Sequence, residues 1–510
     1  EPLREVQVQL GSHARKQIAA DLTGPLTDDG QWLYRLVAVG RDSDSQVDHV
    51  RDDRQVFAPS LTWKPSAATS LTLQFTHQKD KSGSLIGFFP WQGTLLPSAY
   101  GQIPTSTFIS EPGWDAYNSE NNSWGYLFSH QLNSDWTVRQ NLRRTVSDVD
   151  YRTIYTSFAA NRTTGRPARP VFEADGRTLI RDAGWQRNAS RLLLLDTQLE
   201  GKLRAGAAEH TLLAGVDAQR NTTSQSTWSQ TIAGIDAYAP VYGNFTPPAA
   251  SALVRQPDVR QRQIGFYAQD QIRWNRWTAT LGLRHDRAKT NTEGRPAAAV
   301  DDTAWTKRLG ATYQADGGWA PYLSYSESFQ PLGGVDFYGT SYKPQRGQQW
   351  EAGVKWQPEG RGLSGYAAIY ELREKNRKTT DPANPRNNLQ IGETRARGLE
   401  AELTASLARS WDATFAYAYT DAKISRSNAG DEGQPVAGVP KHTASAWLSH
   451  RSTPASTIAD ALLAYDAGDW RLAFNVVNLT DKVQITQCLD RGDCFYGQRR
   501  TFLLTSTYRF

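Results

Sequence analysis

The chain of 510 residues contains no methionine and only two cysteines, Cys488 and Cys494. Ordinary usage of about two per cent would give roughly ten methionines. A deficit of that size predicts positions missing from the sequence, with joins hidden inside its numbering. No apolar run approaches the ~20 residues of a membrane-spanning helix, which excludes a helical membrane protein. No signal peptide opens the chain, so a mature or truncated form is expected. No block of like charge appears, and the net charge of +5 is small for this length. That argues against a nucleic-acid partner.

Catalytic signatures are missing as well. The eight histidines are scattered, with no close metal-ligand spacing. There is no G-x-S-x-G elbow and no phosphate-cradling glycine loop. His285 and Asp286 adjoin on a strand, so their side chains point to opposite faces and cannot pair. Asp148 and Asp150 share a face but lie among Arg144 and Arg152, which reads as charge balance. No enzyme, no cofactor and no protein-bound metal are expected.

What the chain has is aromatic residues, 17 Trp and 21 Tyr, against a mean hydropathy of −0.59. Trp and Tyr suit a membrane interface, because an apolar ring carries a polar tip. The last strand alternates strictly. Phe510, Tyr508, Ser506, Leu504 and Phe502 form one set, and Arg509, Thr507, Thr505, Leu503 and Thr501 the other. A side-chain period of two puts them on opposite faces. Trp277-Ala279-Leu281-Leu283, Trp411-Ala413-Phe415-Tyr417-Tyr419 and Trp470-Leu472-Phe474-Val476 repeat the pattern. Alternation conceals a membrane surface from average hydropathy, so the reading is an outer-membrane β-barrel. A soluble propeller is the alternative, and no blade repeat supports it.

Connections are short at one end and long at the other. Asn133-Ser134-Asp135, Ala205 to Ala208, Asn275-Arg276 and Ala315 to Gly318 are short. Lys81 to Asn122, Tyr151 to Gln186, Thr222 to Asp258 and Gln330 to Lys343 are long. Barrels keep short periplasmic turns and long extracellular loops. The rhythm gives roughly twenty strands and breaks after Val439 to Arg451, where about two strands are expected to be missing near residues 455–457. In an oxidising compartment Cys488 and Cys494 read as a small loop disulfide, against the alternative of two reduced thiols.

Several segments together carry a resemblance. They are Glu1-Pro2-Leu3-Arg4-Glu5-Val6-Gln7, His210-Thr211-Leu212-Leu213-Ala214-Gly215-Val216-Asp217 and Tyr267-Ala268-Gln269-Asp270-Gln271. Next come Ser324-Tyr325-Ser326-Glu327-Ser328-Phe329-Gln330-Pro331 and Gly392-Glu393-Thr394-Arg395-Ala396-Arg397-Gly398-Leu399-Glu400. Tyr419-Thr420-Asp421-Ala422, Val439-Pro440-Lys441-His442 and Asn478-Leu479-Thr480-Asp481-Lys482 close the series. In this order they resemble the barrel of TonB-dependent siderophore receptors, nearest to the ferric-hydroxamate type, over essentially the whole chain. The resemblance implies an all-β, 22-stranded antiparallel transmembrane β-barrel whose N-terminal plug is absent from this sequence. It implies a monomer in the bacterial outer membrane, among lipopolysaccharide, that imports a ferric hydroxamate siderophore with energy from TonB. Iron would travel only inside the siderophore. A general porin is the alternative function.

The resemblance also places ligand contacts. Phe88, Phe89 and Trp91 lie in the first long loop, where the family's Tyr-Gly-Trp pattern becomes Ile86-Gly87-Phe88. Tyr151, Tyr155 and Trp228 lie near further family contacts. Phe495 and Tyr496 follow the cysteine loop, in which Leu489 replaces an aromatic, and Tyr338 and Tyr342 are weaker candidates. Glu327, Arg395 and Arg397 are read as lumen charges that solvate the bore or dock a plug.

Overall fold

The computed structural model describes the chain apart from residues 1–2, 84–86, 161–166, 171, 337, 360–361, 382, 409–410, 437, 451–460, 468, 484, 489–492 and 510. It is an all-β protein whose described residues build one large antiparallel sheet of 22 strands. One of these, Val254–Arg255, is a two-residue piece beside Ala208–Asp236. The other strands follow one another almost in chain order. Turn chemistry sets the hairpins. Asn275 takes φ 50° between Trp274 and Trp277, and Gly206 takes φ 60° between the two longest strands, Thr178–Ala205 and Ala208–Asp236.

The first strand, Leu3–Gly11, pairs with the last, Thr501–Arg509. Their alternation agrees across the seam. Gln7 and Gln9 donate side-chain hydrogen bonds to Thr507 and Thr505, and Arg509 meets Glu5 at 2.8 Å. Val8, Leu10, Phe502 and Leu504 stand exposed on the other face. Register carries this division around the sheet. Leu281, Leu309, Leu323, Trp350, Ile369, Leu399 and Phe415 continue the apolar outer face. Stacked or tilted pairs mark its short-turn edge: Trp32 with Trp63, Trp277 with Tyr313, Trp319 with Trp356 and Trp470 with Tyr508. Aromatic rows at one level are the interface girdle of a transmembrane barrel.

Two stretches read as loops begin or end in long strand extensions. Trp136–Thr156, Thr178–Ala205 and Ala208–Asp236 contain 21, 28 and 29 residues. A tilted span needs about 9–11 residues, so these three stand far above the lipid. There lipid no longer dictates the pattern, and runs such as Thr222-Thr223-Ser224-Gln225-Ser226-Thr227 lose the apolar alternation by which a strand is recognised.

Among the described residues no ladder joins His442–His450 to Ala461–Ala467. From one to the other around the sheet, 20 antiparallel ladders intervene, so the two strands run the same way. Antiparallel closure therefore needs an odd number of further strands between them. The two missing strands expected from the sequence would leave the directions mismatched. The break expected near residues 455–457 itself lies outside the described residues.

Candidate functional site: an aromatic cluster at the loop end

The loop end of the sheet is stitched together by a small three-stranded sheet of Phe89–Pro90, Ile485–Cys488 and Asp493–Tyr496. Cys494 stands opposite both Cys488 and Phe89 in register. The aromatic loop and the cysteine hairpin, some four hundred positions apart in sequence, thus share backbone hydrogen bonds.

Phe88 is the centre of what this pairing assembles. Its ring meets Tyr155 at 5.8 Å, Phe158 at 5.5 Å and Phe495 at 5.8 Å, all edge-on. These distances and angles are those of favourable aromatic pairs. Phe88 has φ 48°, the left-handed region that costs a residue with a Cβ about 1–3 kcal/mol and recurs at ligand clamps. Three of the four rings, Phe88, Tyr155 and Phe495, are anticipated by the sequence. Phe158 is not, because it follows the end of the alternating strand.

Tyr155 shares the lumen-facing side of its strand with Tyr151, Arg143 and Arg139, by the period of two. Tyr151 packs against Tyr117 at 5.2 Å, an aromatic missed in the sequence although it starts an alternating strand. Burial pushes the Tyr155 hydroxyl above its ordinary pKa, with Asp182 adding to the effect. A cavity of about 490 Å³ adjoins the cluster, lined by Gly87, Phe89, Phe495 and Tyr496 and by the polar side chains of Arg15 and Asp52.

Phe89 and Tyr496 turn away from the open side. Phe89 is buried with Ile103, Ile109, Leu179 and Ile235, and Tyr496 packs on that core. The Tyr496 hydroxyl donates to the Ile103 carbonyl at 2.8 Å, and burial raises its pKa. Both residues support the cluster from behind. Trp91 starts a turn, its carbonyl accepting the N–H groups of Thr94 and Leu96. Trp228 belongs elsewhere. It pairs in register with Trp185, on the side continuous with outer-facing Leu195, and its ring lies 6.3 Å from Trp114. That places it under the segment carrying Phe245 and Leu253, away from Phe88. Tyr338 donates to Asp381, and Tyr342 donates to the Asn388 carbonyl beneath Lys378. Both are held within loop structure.

The three charges expected in the lumen stand on the other face. Glu327 accepts from Tyr325, whose ring packs on outer Trp350. Arg397 pairs with Glu371, and Arg395 sits opposite Arg373, in the row that holds Ile369 and Leu399. The alternation was legible, but which side was wet was not, because these strands pass above the lipid and charge occupies both faces. The inward positions nearby hold Glu351, Glu400 and Glu402, with the Tyr322 hydroxyl donating to Glu351. His285 and Asp286 do part as expected, His285 packing at a tilt on Trp305 while Asp286 binds Arg284.

The comparisons with known proteins agree with this architecture. The family model described as "TonB dependent receptor-like, beta-barrel" matches residues 59–479. The ferrioxamine B receptor of Salmonella typhimurium (strain LT2) is 30% identical over 544 residues, covering 99% of this chain and 75% of that protein. The ferrichrome outer membrane transporter/phage receptor of Escherichia coli (strain K12) is 32% identical over 559 residues, covering 100% and 74%. In fold, the chain superposes on the ferric-catecholate import receptor Fiu of E. coli K12 in its closed form. The TM-score is 0.84 at 20% identity, covering 100% of this chain and 82% of that one. A sheet of this size, with an aromatic girdle at its short-turn edge and a ring cluster at its loop edge, belongs to the TonB-dependent receptor β-barrel family of the bacterial outer membrane.

Proposed function

We propose that this barrel takes up a ferric hydroxamate siderophore across the outer membrane, energised by TonB. The observation that carries the reading is the convergence of Phe88, Tyr155, Phe158 and Phe495 from separate segments onto the open end of the bore. Hydroxamate chelates are roughly neutral and partly apolar, and walls of this composition suit them. The similarity to receptors named for ferrioxamine B and ferrichrome supports the same class. Iron is cargo held by the chelate, and no resident cofactor is part of the reading. The reading takes the receptor as a monomer. The test is uptake of radioactive ferric hydroxamate by iron-starved cells. It should saturate with the gene, vanish without TonB, and be absent from cells lacking the gene. Uptake that ignores TonB would return the protein to the porin class.

The reading extends to lipopolysaccharide on the outer face. A groove of about 450 Å³ has Leu193, Leu195 and Ile264 on its apolar side and Arg220, Arg262, Arg287 and Lys289 as its cations, the last two shared with Asp301. Acyl chains suit the first and phosphates the second. Replacing Arg220, Arg262 and Lys289 by glutamine should lower co-purifying lipopolysaccharide phosphate several-fold. Thermal stability in detergent should hold.

The reading includes a bridge between Cys488 and Cys494, which face each other in register across their hairpin. Alkylation without reductant should leave both unlabelled, and reduction should add two labels. Labelling without reductant would remove the bridge.

A further inference from the structure

On the two tall strands beside the cluster, the inward positions above Arg143 and Asp196 are almost free of charge, while Arg15 and Asp52 line the cavity on its other side. Inward positions on Trp136–Thr156 run Thr145, Ser147, Val149, Tyr151, Thr153 and Tyr155. Those on Thr178–Ala205 run Ser190, Asn188, Gln186 and Gly184, and end in one carboxylate, Asp182. Asp182 stands directly opposite Tyr155 in register, so the two side chains share a face about 5 Å apart at Cβ. Its Oδ1 accepts from the Thr231 hydroxyl at 2.6 Å, which fixes the group and leaves acceptor capacity on a half-exposed carboxylate. The neighbouring Arg181 is no counter-ion here. It is fully buried on the other face, where it binds Glu111 at 3.0 Å.

A carboxylate beside clustered aromatic faces is the chemistry that recognises an organic ammonium. The ring quadrupoles attract the cation, worth about 0.5–2 kcal/mol, and the carboxylate adds a charge-assisted hydrogen bond. We infer that Asp182, with Tyr155 and Phe88, selects ferric hydroxamates that carry a protonated amine over neutral or anionic ones. This rests on the receptor reading above and narrows it. The amine would approach Asp182 while the rings cover the methylene segments of the chelate. Asp182 is thus a specificity residue for cargo, and none of the sequence motifs pointed to it.

The experiment uses two probes that differ by one charge: a linear ferric trihydroxamate with a terminal primary amine, and the same chelate with that amine acetylated. Binding to the full-length receptor in detergent is followed by tryptophan fluorescence. The wild type should prefer the amine form by about tenfold, and the preference should shrink as salt is raised. In Asp182→Asn, which retains a hydrogen-bonding side chain beside Thr231, the two affinities should converge. Asp182→Glu should keep a preference for the amine, an outcome that loss of shape alone would not give. Equal wild-type affinities, or a preference that survives Asp182→Asn, would overturn the assignment while leaving the receptor intact. If neither chelate binds the wild type, the receptor reading fails and the selectivity falls with it.

Discussion

Replacing Phe88 and Phe495 together by alanine is expected to weaken ferric-hydroxamate binding by about a hundredfold or more. Aromatic anchors at interfaces cost about 2–4 kcal/mol each when truncated, and 1.4 kcal/mol is a factor of ten. The two losses will not simply add, because the rings touch each other and both lean on the same small sheet. Each single substitution should therefore cause much of the defect. Phe88→Ala also removes the ring contacts with Tyr155, Phe158 and Phe495 while keeping the Cβ that opposes the left-handed backbone, so the loop should lose some stability as well. Titration of receptor in detergent gives the affinity, and surface labelling confirms that the variant reaches the membrane. Trp228→Ala is the contrast. It lies in the Trp114 cluster, so it should loosen the loops and leave the affinity near that of the wild type. The reverse pattern would move the ligand to the outer side of the wall.

The second large effect is expected at Arg181. This guanidinium is fully buried and bonds to the carbonyls of Ala233 and Ile109 and to the carboxylate of Glu111. Burial pulls its pKa down from the usual value and Glu111 opposes the shift. Glu111 also accepts the backbone N–H of Gly243 at 2.8 Å. One ion pair therefore ties the segments around residues 109–111 and 243 to the tall strand Thr178–Ala205. Arg181→Ala leaves Glu111 charged in a closed site. Breaking a buried pair from one side typically costs about 3–5 kcal/mol. The expected result is rapid proteolysis of the loops in intact cells, with the membrane-embedded strands still protected. Arg181→Met combined with Glu111→Gln should recover much of that protection, because no charge is then left without its partner. If the single variant resists protease as the wild type does, the pair does not hold the loops.

The compartment and the sheet were legible because lipid imposes a rule that a single strand displays. Phe502 and Leu504 on one face, with Thr505 and Thr507 on the other, state it within a few residues. The failures have a common location. Glu327, Arg395 and Arg397 lie where the strands have left the lipid, and alternation there names two faces without saying which is wet. Trp228 was misassigned for the same reason, since a tryptophan above the membrane can pack on either side of the wall. That His442–His450 and Ala461–Ala467 run the same way is a property of the assembled ladders, and a rhythm of hairpins cannot reveal it.

By itself the sequence determined an all-β, barrel-type sheet with short turns at one edge and long connections at the other, and it offered aromatic candidates in the loops. Those follow from side-chain period and turn chemistry, which are local. Only the tertiary structure decided that Phe88 and Phe495 touch, that Phe89 and Tyr496 stand behind them, and that Asp182 faces Tyr155. These contacts join segments up to four hundred positions apart, and their pairing depends on which backbones meet once the wall has formed.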